Sequence, residues 1–400
     1  GVSLIDTVMV LIINIFTALA TGGAVIAGQF LGKKRTEMAC KATNQLLAFT
    51  FKASLAVMIL GYLGRNLITH VIFGNIEADV LYNCNVYMMI VFASIPMIAL
   101  YNAGAAAFRA MGNSSIAMKT SLLMNAINIC GNAILIYGLH RGVEGVAIPT
   151  LVSRTVACIV MLIMLNNQKH MVHIYHPFSF KTDWSLLKKI LYIGIPNGLE
   201  NSMFQLGKIM VLSIVTGFGT ASIAANAVSN NVATFATLPG MAIGFAMLTV
   251  VSQCVGAGDF EQVKYYTKKL IRIIYISALA INILVVLAVP FVVSIYGLSE
   301  EASSYARQIL FYHSACVVTI WPLSFSLPNT LRAAADVKFT MGLSIFSMWV
   351  FRIGFSVVLG VYFHMGVFGV WVAMTIDWLF RSICFVARYI RGKWKHAALV

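Results

Sequence analysis

A single carboxylate, Glu200, stands inside an apolar run from Ile190 to Phe218 that is long enough to cross a bilayer. Pro196 lies one helical turn earlier and frees a backbone carbonyl. A charged side chain costs about 2.5–3.5 kcal/mol or more at the centre of a bilayer, which indicates a functional role for this acid. The structural alternative is an ion pair between Glu200 and a buried cation such as Lys208 or Arg352.

The side chains near Glu200 favour cation chemistry. Asn197, Asn201 and Gln205 offer carbonyl oxygens, the ligands that hard cations prefer. Phe204, one turn beyond the acid, offers an aromatic face to an organic cation. The alternative for the three amides is hydrogen bonding between helices, which is common in membranes. A carboxylate so placed can hold a small cation or an organic cation, which is what exchange of one for the other requires.

Two further groups could contribute to such a site. Asn128 and Asn132 are one turn apart and face the same side of one predicted helix. Asp377 stands in the last apolar run, with Arg381 one turn away, so the two are expected to neutralise one another. We predict that Asn128, Asn132 and Asp377 line a cavity for a cation or substrate.

The elements that carry these residues are membrane-spanning helices. The chain has 400 residues, of which 60% are hydrophobic and 10% charged, and its mean hydropathy is +0.87. A soluble domain carries about 25% charged residues. About eleven apolar runs have the length of a span. The fold class predicted is an all-α polytopic membrane protein embedded in the lipid bilayer.

The basic residues indicate orientation and not a nucleic-acid partner. Twenty of the 28 lysines and arginines, Arg332 among them, lie in alternate connectors, whereas the opposite connectors hold only Arg65, Arg141 and Arg307. Since cytoplasmic connectors are enriched in Lys and Arg, the C-terminus is predicted to lie on the cytoplasmic side. The protein itself is predicted to lie in the plasma (inner) membrane. The net charge of +15 therefore implies no nucleic-acid binding.

The chain repeats itself at an offset of 223 or 224 residues. Gln29-Phe-Leu-Gly32 recurs as Gln253-Cys-Val-Gly256, and Arg109-Ala110 recurs as Arg332-Ala333. Phe73-Gly74 recurs as Tyr296-Gly297, and Gly142-Val143 as Gly366-Val367. The counterpart of the Glu200 helix would precede residue 1, so we expect a parent of twelve spans in two parallel halves of six, lacking here its first helix.

This repeat sets the predicted domains. Residues 1–166 form an N-lobe of helices 2–6, residues 167–186 a cytoplasmic connector, and residues 187–400 a C-lobe of helices 7–12. An axis along the membrane normal relates the two lobes, with a cavity between them. The prolines in or near the spans, including Pro322 and Pro328, mark expected kinks.

With these motifs in place, the chain resembles the MATE (multidrug and toxic compound extrusion) family of bacterial transporters over its whole length. The residues that carry the resemblance are Gly194, Pro196, Glu200, Phe204, Gly207, Leu238-Pro239-Gly240, Gln253, Gly256, Gly258 and, in the first half, Gly22-Gly23, Gln29, Gly32, Phe108 to Asn113, Gly142 and Gly145. The resemblance implies a twelve-helix, two-lobe antiporter that expels organic cations in exchange for Na⁺ or H⁺. The resemblance also implies that the protein is a monomer without enzymatic activity and needs no cofactor beyond the coupling ion. It implies that Glu200 is the ion-coupling residue.

Two positions depart from the family pattern. Archaeal-type and related members carry an acid at the position of Asn132, where an amide cannot titrate. Bacterial sodium-coupled members carry an acid in the tenth helix, where this chain reads Trp321-Pro322. The choice between Na⁺ and H⁺ therefore stays open.

Other classes of function remain as alternatives. A lipid-linked saccharide flippase of the same superfamily would need several cations facing a cavity, and candidates are Lys52, Arg154, Lys208, Arg352 and Arg381. A membrane-embedded receptor or enzyme is disfavoured by the two-fold repeat and by the absence of a Walker, HExxH or Ser/His/Asp pattern. The tract His170, His173 and His176 has spacing that drifts around a helix and is a weak candidate for metal binding.

Overall fold

The computed structural model describes residues 2–72, 74–175 and 178–400, and within these ranges every regular element is helical. The helices α1 to α12 are Val2–Gly32, Thr36–Leu63, Ala78–Ala110, Ser114–Gly138, Glu144–Asn166, Trp184–Thr216, Thr220–Gly256, Phe260–Ile295, Glu300–Thr319, Pro322–Ala333, Val337–Tyr362 and Gly366–Arg391. A short 3₁₀ turn, Lys393–His396, follows α12. The predicted all-α membrane fold is confirmed, since a spanning segment can satisfy its backbone hydrogen bonds internally only as a helix or a closed barrel.

Nine helices in the described ranges are long and apolar enough to cross a membrane, or up to ten when the bent pair α9 and α10 is counted as one span. The prediction of about eleven spans also counted α6. This helix has 33 residues and the length of a span, but it is not among the nine. Its middle carries the polar residues Asn197, Glu200, Asn201 and Gln205, which lower its mean hydropathy.

The predicted kink at Pro322 is confirmed. Helices α9 and α10 differ in direction by 59° across a break of a few residues. A π-helical turn, Pro322–Ser326, begins α10, and Pro328 follows it. Proline removes a backbone donor and clashes with the preceding turn, so the chain changes direction here. The bend sets the direction of the segment that carries Arg332.

Packing divides the chain into two compact units, Gly1–Gly198 and Leu199–Leu399. The division falls inside α6, so its first half belongs to unit 1 and its second half to unit 2. The lobe boundaries at 1–166 and 187–400 stay a prediction.

In unit 1, α1 packs against α2 and α3, and α5 packs against α3 and α4. Small residues allow α1 to approach the first half of α6 closely. A Cβ added to Gly22 would lie 2.6 Å from the carbonyl oxygen of Ile190, and one added to Gly194 would lie 3.2 Å from the Cα of Leu19. Such backbone proximity is typical of helix interfaces in membranes.

The connector between α5 and α6 packs on α2. The Lys52 ammonium donates to the carbonyl of Phe180, and the side chain of Gln45 bonds the backbone of Lys181 and Asp183. His170 packs edge-on against Phe108 within this region. Phe73 of the repeat and His176 of the histidine tract lie outside the described residues.

In unit 2, α7 packs against α8, α9 and α10, and α11 packs against α12. Glycines again set the closest approaches. A Cβ on Gly207 of α6 would lie 2.2 Å from Met348 Cε of α11, and a Cβ on Gly240 of α7 would lie 2.2 Å from Trp321 Cζ3. Helix α11 contains two π-helical turns, Met348–Gly354 and Val358–Tyr362. The first of these carries Arg352 beside α6.

Candidate functional site

Glu200 lies on the half of α6 that belongs to unit 2, and only 8% of its surface is exposed. Its Oε1 accepts a hydrogen bond from Arg332 Nη2 at 2.6 Å. The structural alternative was an ion pair with a buried cation such as Lys208 or Arg352, and the structure shows an ion pair in which the cation is Arg332. The sequence assigns Arg332 to a cytoplasmic connector, whereas the structure places it in the last turn of α10, beyond the bend at Pro322.

The pair is only partly satisfied. Arg332 Nη1 also donates to Asn329 Oδ1 at 3.0 Å, one turn earlier on α10. Glu200 Oε2 and Arg332 Nε are buried and have no hydrogen-bond partner among the described residues. Buried polar atoms usually have a partner, so Oε2 of this carboxylate is an acceptor whose hydrogen-bonding capacity is unused.

The amides beside Glu200 are also without described partners. No hydrogen bond joins the side chains of Asn197, Asn201 or Gln205 to the described part of the chain, and all three are partly exposed. The alternative of hydrogen bonding between helices is therefore not seen for them. Helical spacing places Asn197 and Asn201 within one turn of Glu200. Their role as cation ligands stays a prediction.

Phe204 is surrounded by the protein's own cations. Lys208 Nζ lies 4.9 Å from the centroid of its ring, Arg352 Cζ lies 5.0 Å away, and Arg381 Cζ lies 5.9 Å away. Such distances are those of cation–π contacts. The ring that we expected to receive an organic cation is thus already contacted by three side chains of unit 2.

Asp377 is fully buried on α12 and pairs with Arg381, whose Nε lies 3.0 Å from Asp377 Oδ1. The Ser347 hydroxyl of α11 donates to the same oxygen, and Arg381 Nη2 donates to the carbonyl of Ser344. The expected pairing with Arg381 is therefore present. A role for Asp377 in lining a substrate cavity stays a prediction.

Asn128 and Asn132 lie in unit 1 on α4. Asn132 Nδ2 donates to Asn128 Oδ1 at 3.0 Å, and Asn128 Nδ2 donates to Thr150 Oγ1 of α5 at 3.2 Å. The second bond joins two helices, which is the structural role that such amides often have. Asn132 Oδ1 is buried and has no described partner. The pair is not titratable, as the sequence indicates.

The structure describes no group of three or more His, Cys, Asp or Glu side chains in ranges 2–72, 74–175 and 178–400 that could hold a metal ion. His170 packs against Phe108 and His173 against Tyr175, both as edge-to-face contacts.

Sequence reasoning missed Arg332 and Asn329 as neighbours of Glu200. A signal was present, because Arg332-Ala333 is one half of the repeated pair that begins at Arg109. The arginine thus recurs in both halves of the sequence, and Arg332 follows the segment that contains Pro322 and Pro328.

Comparison with known proteins gives a consistent result. The MatE family model matches residues 1–134 and 196–358. The "Probable multidrug resistance protein YoeA" of Bacillus subtilis is 26% identical over 96% of this chain and 84% of its own length. The "Probable multidrug resistance protein NorM" of Thermotoga maritima is 23% identical over 82% of this chain and 71% of its own length.

A solved structure described as the outward-facing conformation of a multidrug resistance MATE family transporter of the MOP superfamily aligns with a TM-score of 0.89. The alignment covers 98% of this chain and 87% of the other, at 20% identity. Identity this low supports a common fold and leaves the assignment of substrates to the residues of this chain.

Proposed function

The chain belongs to the MatE family, a family of multidrug efflux transporters, and from this premise we propose that it is a secondary active antiporter that exports organic cations in exchange for Na⁺ or H⁺. The membrane is proposed to be the plasma membrane, with the C-terminus in the cytoplasm, because the basic residues concentrate in alternate connectors. The relatives reported above are named as probable multidrug resistance proteins, which supports a small-molecule substrate.

The observation that carries this proposal is the carboxylate of Glu200, of which only one oxygen has a described hydrogen-bond partner. One oxygen binds Arg332 and the other, also buried, has no described partner. Arg332 then acts as an internal counter-cation for the acid in the absence of the coupling ion. A Na⁺ ion or a proton that reaches Oε2 competes with the guanidinium for the negative charge, and departure of that ion restores the pair.

This competition couples ion movement to structure. Since Glu200 lies on α6 and Arg332 on α10, any ion that weakens the pair loosens the attachment between these two helices. A ligand shifts a conformational equilibrium only by its differential affinity for the two states. Here the two states are proposed to differ in whether Glu200 and Arg332 are paired, and the coupling ion is proposed to bind Glu200 more tightly when they are not. The carbonyl oxygens of Asn197, Asn201 and Gln205 are proposed to complete the ion's shell. Phe204, Asp377, Asn128 and Asn132 are proposed to line the path of the substrate.

The test is ethidium efflux from energised cells, measured for the wild type and for Glu200→Gln with and without Na⁺. Glutamine keeps the shape of the side chain and removes its charge, so we expect efflux to fall at least tenfold while membrane insertion is unchanged. The matched control is Glu37→Gln on α2, where the acid is exposed and pairs with Lys41 on the surface. Its efflux should equal that of the wild type.

The ion dependence separates the remaining possibilities. Efflux that requires Na⁺ and is lost in Glu200→Gln supports sodium coupling, and efflux that follows pH alone supports proton coupling. Full efflux in Glu200→Gln would remove this acid from the mechanism. A wild type that exports no organic cation would direct attention to the flippase alternative.

A further inference from the structure

The cations around Phe204 form a cluster that the coupling of ions through Glu200 does not use. We call Lys208, Arg352 and Arg381 the cation cluster. All three lie within 6 Å of one ring centroid, although they come from α6, α11 and α12. Like charges this close repel one another, so the cluster needs a compensating negative charge.

One described acid, Asp377, acts on two of these three cations and cannot neutralise both, and no described acid acts on Lys208. Asp377 pairs with Arg381, and Glu200 is engaged by Arg332. Neither Lys208 nor Arg352 forms an ion pair with a described carboxylate. Arg352 is only 7% exposed, and its one described side-chain acceptor is the thioether of Met348, at 3.7 Å from Nη1. A guanidinium buried with so weak an acceptor is costly unless an anion joins it.

The fold holds the cluster in place. Gly207 permits contact between α6 and Met348 of α11, and Met348 begins the π-helical turn that presents Arg352. The repeat offset of 224 residues pairs Arg352 with Asn128, an amide that is satisfied by Thr150. The positive charge is therefore a property of unit 2 and not of the shared repeat.

From this geometry we infer that Lys208 and Arg352 bind an oxyanion, a carboxylate or phosphate carried on an apolar aromatic body that packs against Phe204. The guanidinium supplies a planar fork for two oxygens, and the ammonium supplies a mobile point charge. Lys208 is exposed whereas Arg352 is buried, so the anion enters from the side of Lys208. The inference rests on the proposed function, because it adds organic anions to the compounds that the exporter accepts.

Binding to the purified protein in neutral detergent tests this without an ion gradient. The probes are fluorescein, an aromatic dianion at pH 8, and rhodamine 123, a cation with the same xanthene ring. Fluorescence anisotropy gives the Kd of each probe for the wild type, Lys208→Gln and Arg352→Gln. The control is Lys269→Gln, since this exposed lysine also contacts a ring, that of Tyr265 at 5.7 Å, outside the cluster.

We expect Lys208→Gln and Arg352→Gln each to raise the Kd of fluorescein about tenfold or more, because each removes one charge-assisted hydrogen bond. Rhodamine 123 should not bind more weakly to either variant, and Lys269→Gln should bind both probes as the wild type does. Displacement of fluorescein by dioctanoylphosphatidic acid would identify a lipid as the source of the oxyanion, and a lack of displacement would identify a soluble compound.

Fluorescein affinity that is the same in Lys208→Gln as in the wild type would overturn the inference. Lys208 is exposed, so this variant remains decisive if Arg352→Gln does not fold. The result is separable from the proposed function. Gradient-driven efflux that is lost in Glu200→Gln tests the coupling, whereas equilibrium binding of fluorescein tests only the cluster.

Discussion

Removal of the charge from Arg332 should destabilise unit 2 far more than removal of a surface charge. The pair between Arg332 and Glu200 has a contact of 2.6 Å, and the two side chains are 15% and 9% exposed. Arg332→Met would leave an uncompensated carboxylate in this environment, and breaking a buried pair in this way typically costs about 3–5 kcal/mol.

A surface pair of the same chemistry provides the scale. Lys41 and Glu37 approach to 3.5 Å, with side chains 49% and 71% exposed, and an exposed pair at this spacing on a helix contributes about 0.3–0.5 kcal/mol. The structure therefore predicts roughly a tenfold difference in destabilisation between Arg332→Met and Lys41→Met.

The assay is equilibrium unfolding in mixed micelles with increasing dodecyl sulfate, which gives a free energy of unfolding for each variant. The double variant Glu200→Gln with Arg332→Met completes the cycle, and it should recover much of the loss because no charge is left unpaired. Equal destabilisation by Arg332→Met and Lys41→Met, with no recovery in the double variant, would refute the interpretation of Glu200 and Arg332 as a buried pair.

Two further predictions concern packing and orientation. Gly240→Val should reduce folded yield strongly, because its Cβ would lie 2.2 Å from Trp321, whereas Gly138→Ala, with open space around it, should match the wild type in size-exclusion chromatography. Similar yields for both variants would contradict the packing. A phosphatase fused after Val400 should be inactive and a fluorescent protein fused there should be bright, since the C-terminus is predicted to be cytoplasmic; the opposite pattern would reverse the orientation.

The positions of the helices could be predicted from the sequence because a bilayer forces apolar runs to become helices. The bend at Pro322 was predictable for a similarly local reason, the missing backbone donor of proline. The pair of Asp377 with Arg381 was predictable as well, because residues four apart on a helix are neighbours. These features depend on residues close together in the sequence.

Contacts between distant helices were not predictable in the same way. Glu200 and Arg332 are separated by 132 residues, and their meeting depends on the direction that α10 takes after its bend. Counting basic residues in connectors assigned Arg332 to the cytoplasmic surface, because such counting ignores which way a terminal side chain points. The cations at Phe204 likewise come from three helices, and only tertiary packing brings them to one ring.

The most direct test of the coupling role of Glu200 is transport in proteoliposomes with an imposed ion gradient. Ethidium movement would be recorded for the wild type and Glu200→Gln under a Na⁺ gradient, a pH gradient and no gradient. If the unpartnered oxygen of Glu200 binds the coupling ion, one of the two gradients drives transport by the wild type and neither drives transport by Glu200→Gln. Ethidium should still equilibrate across the membrane in this variant. Gradient-driven accumulation by Glu200→Gln at the rate of the wild type would contradict the central role of this acid.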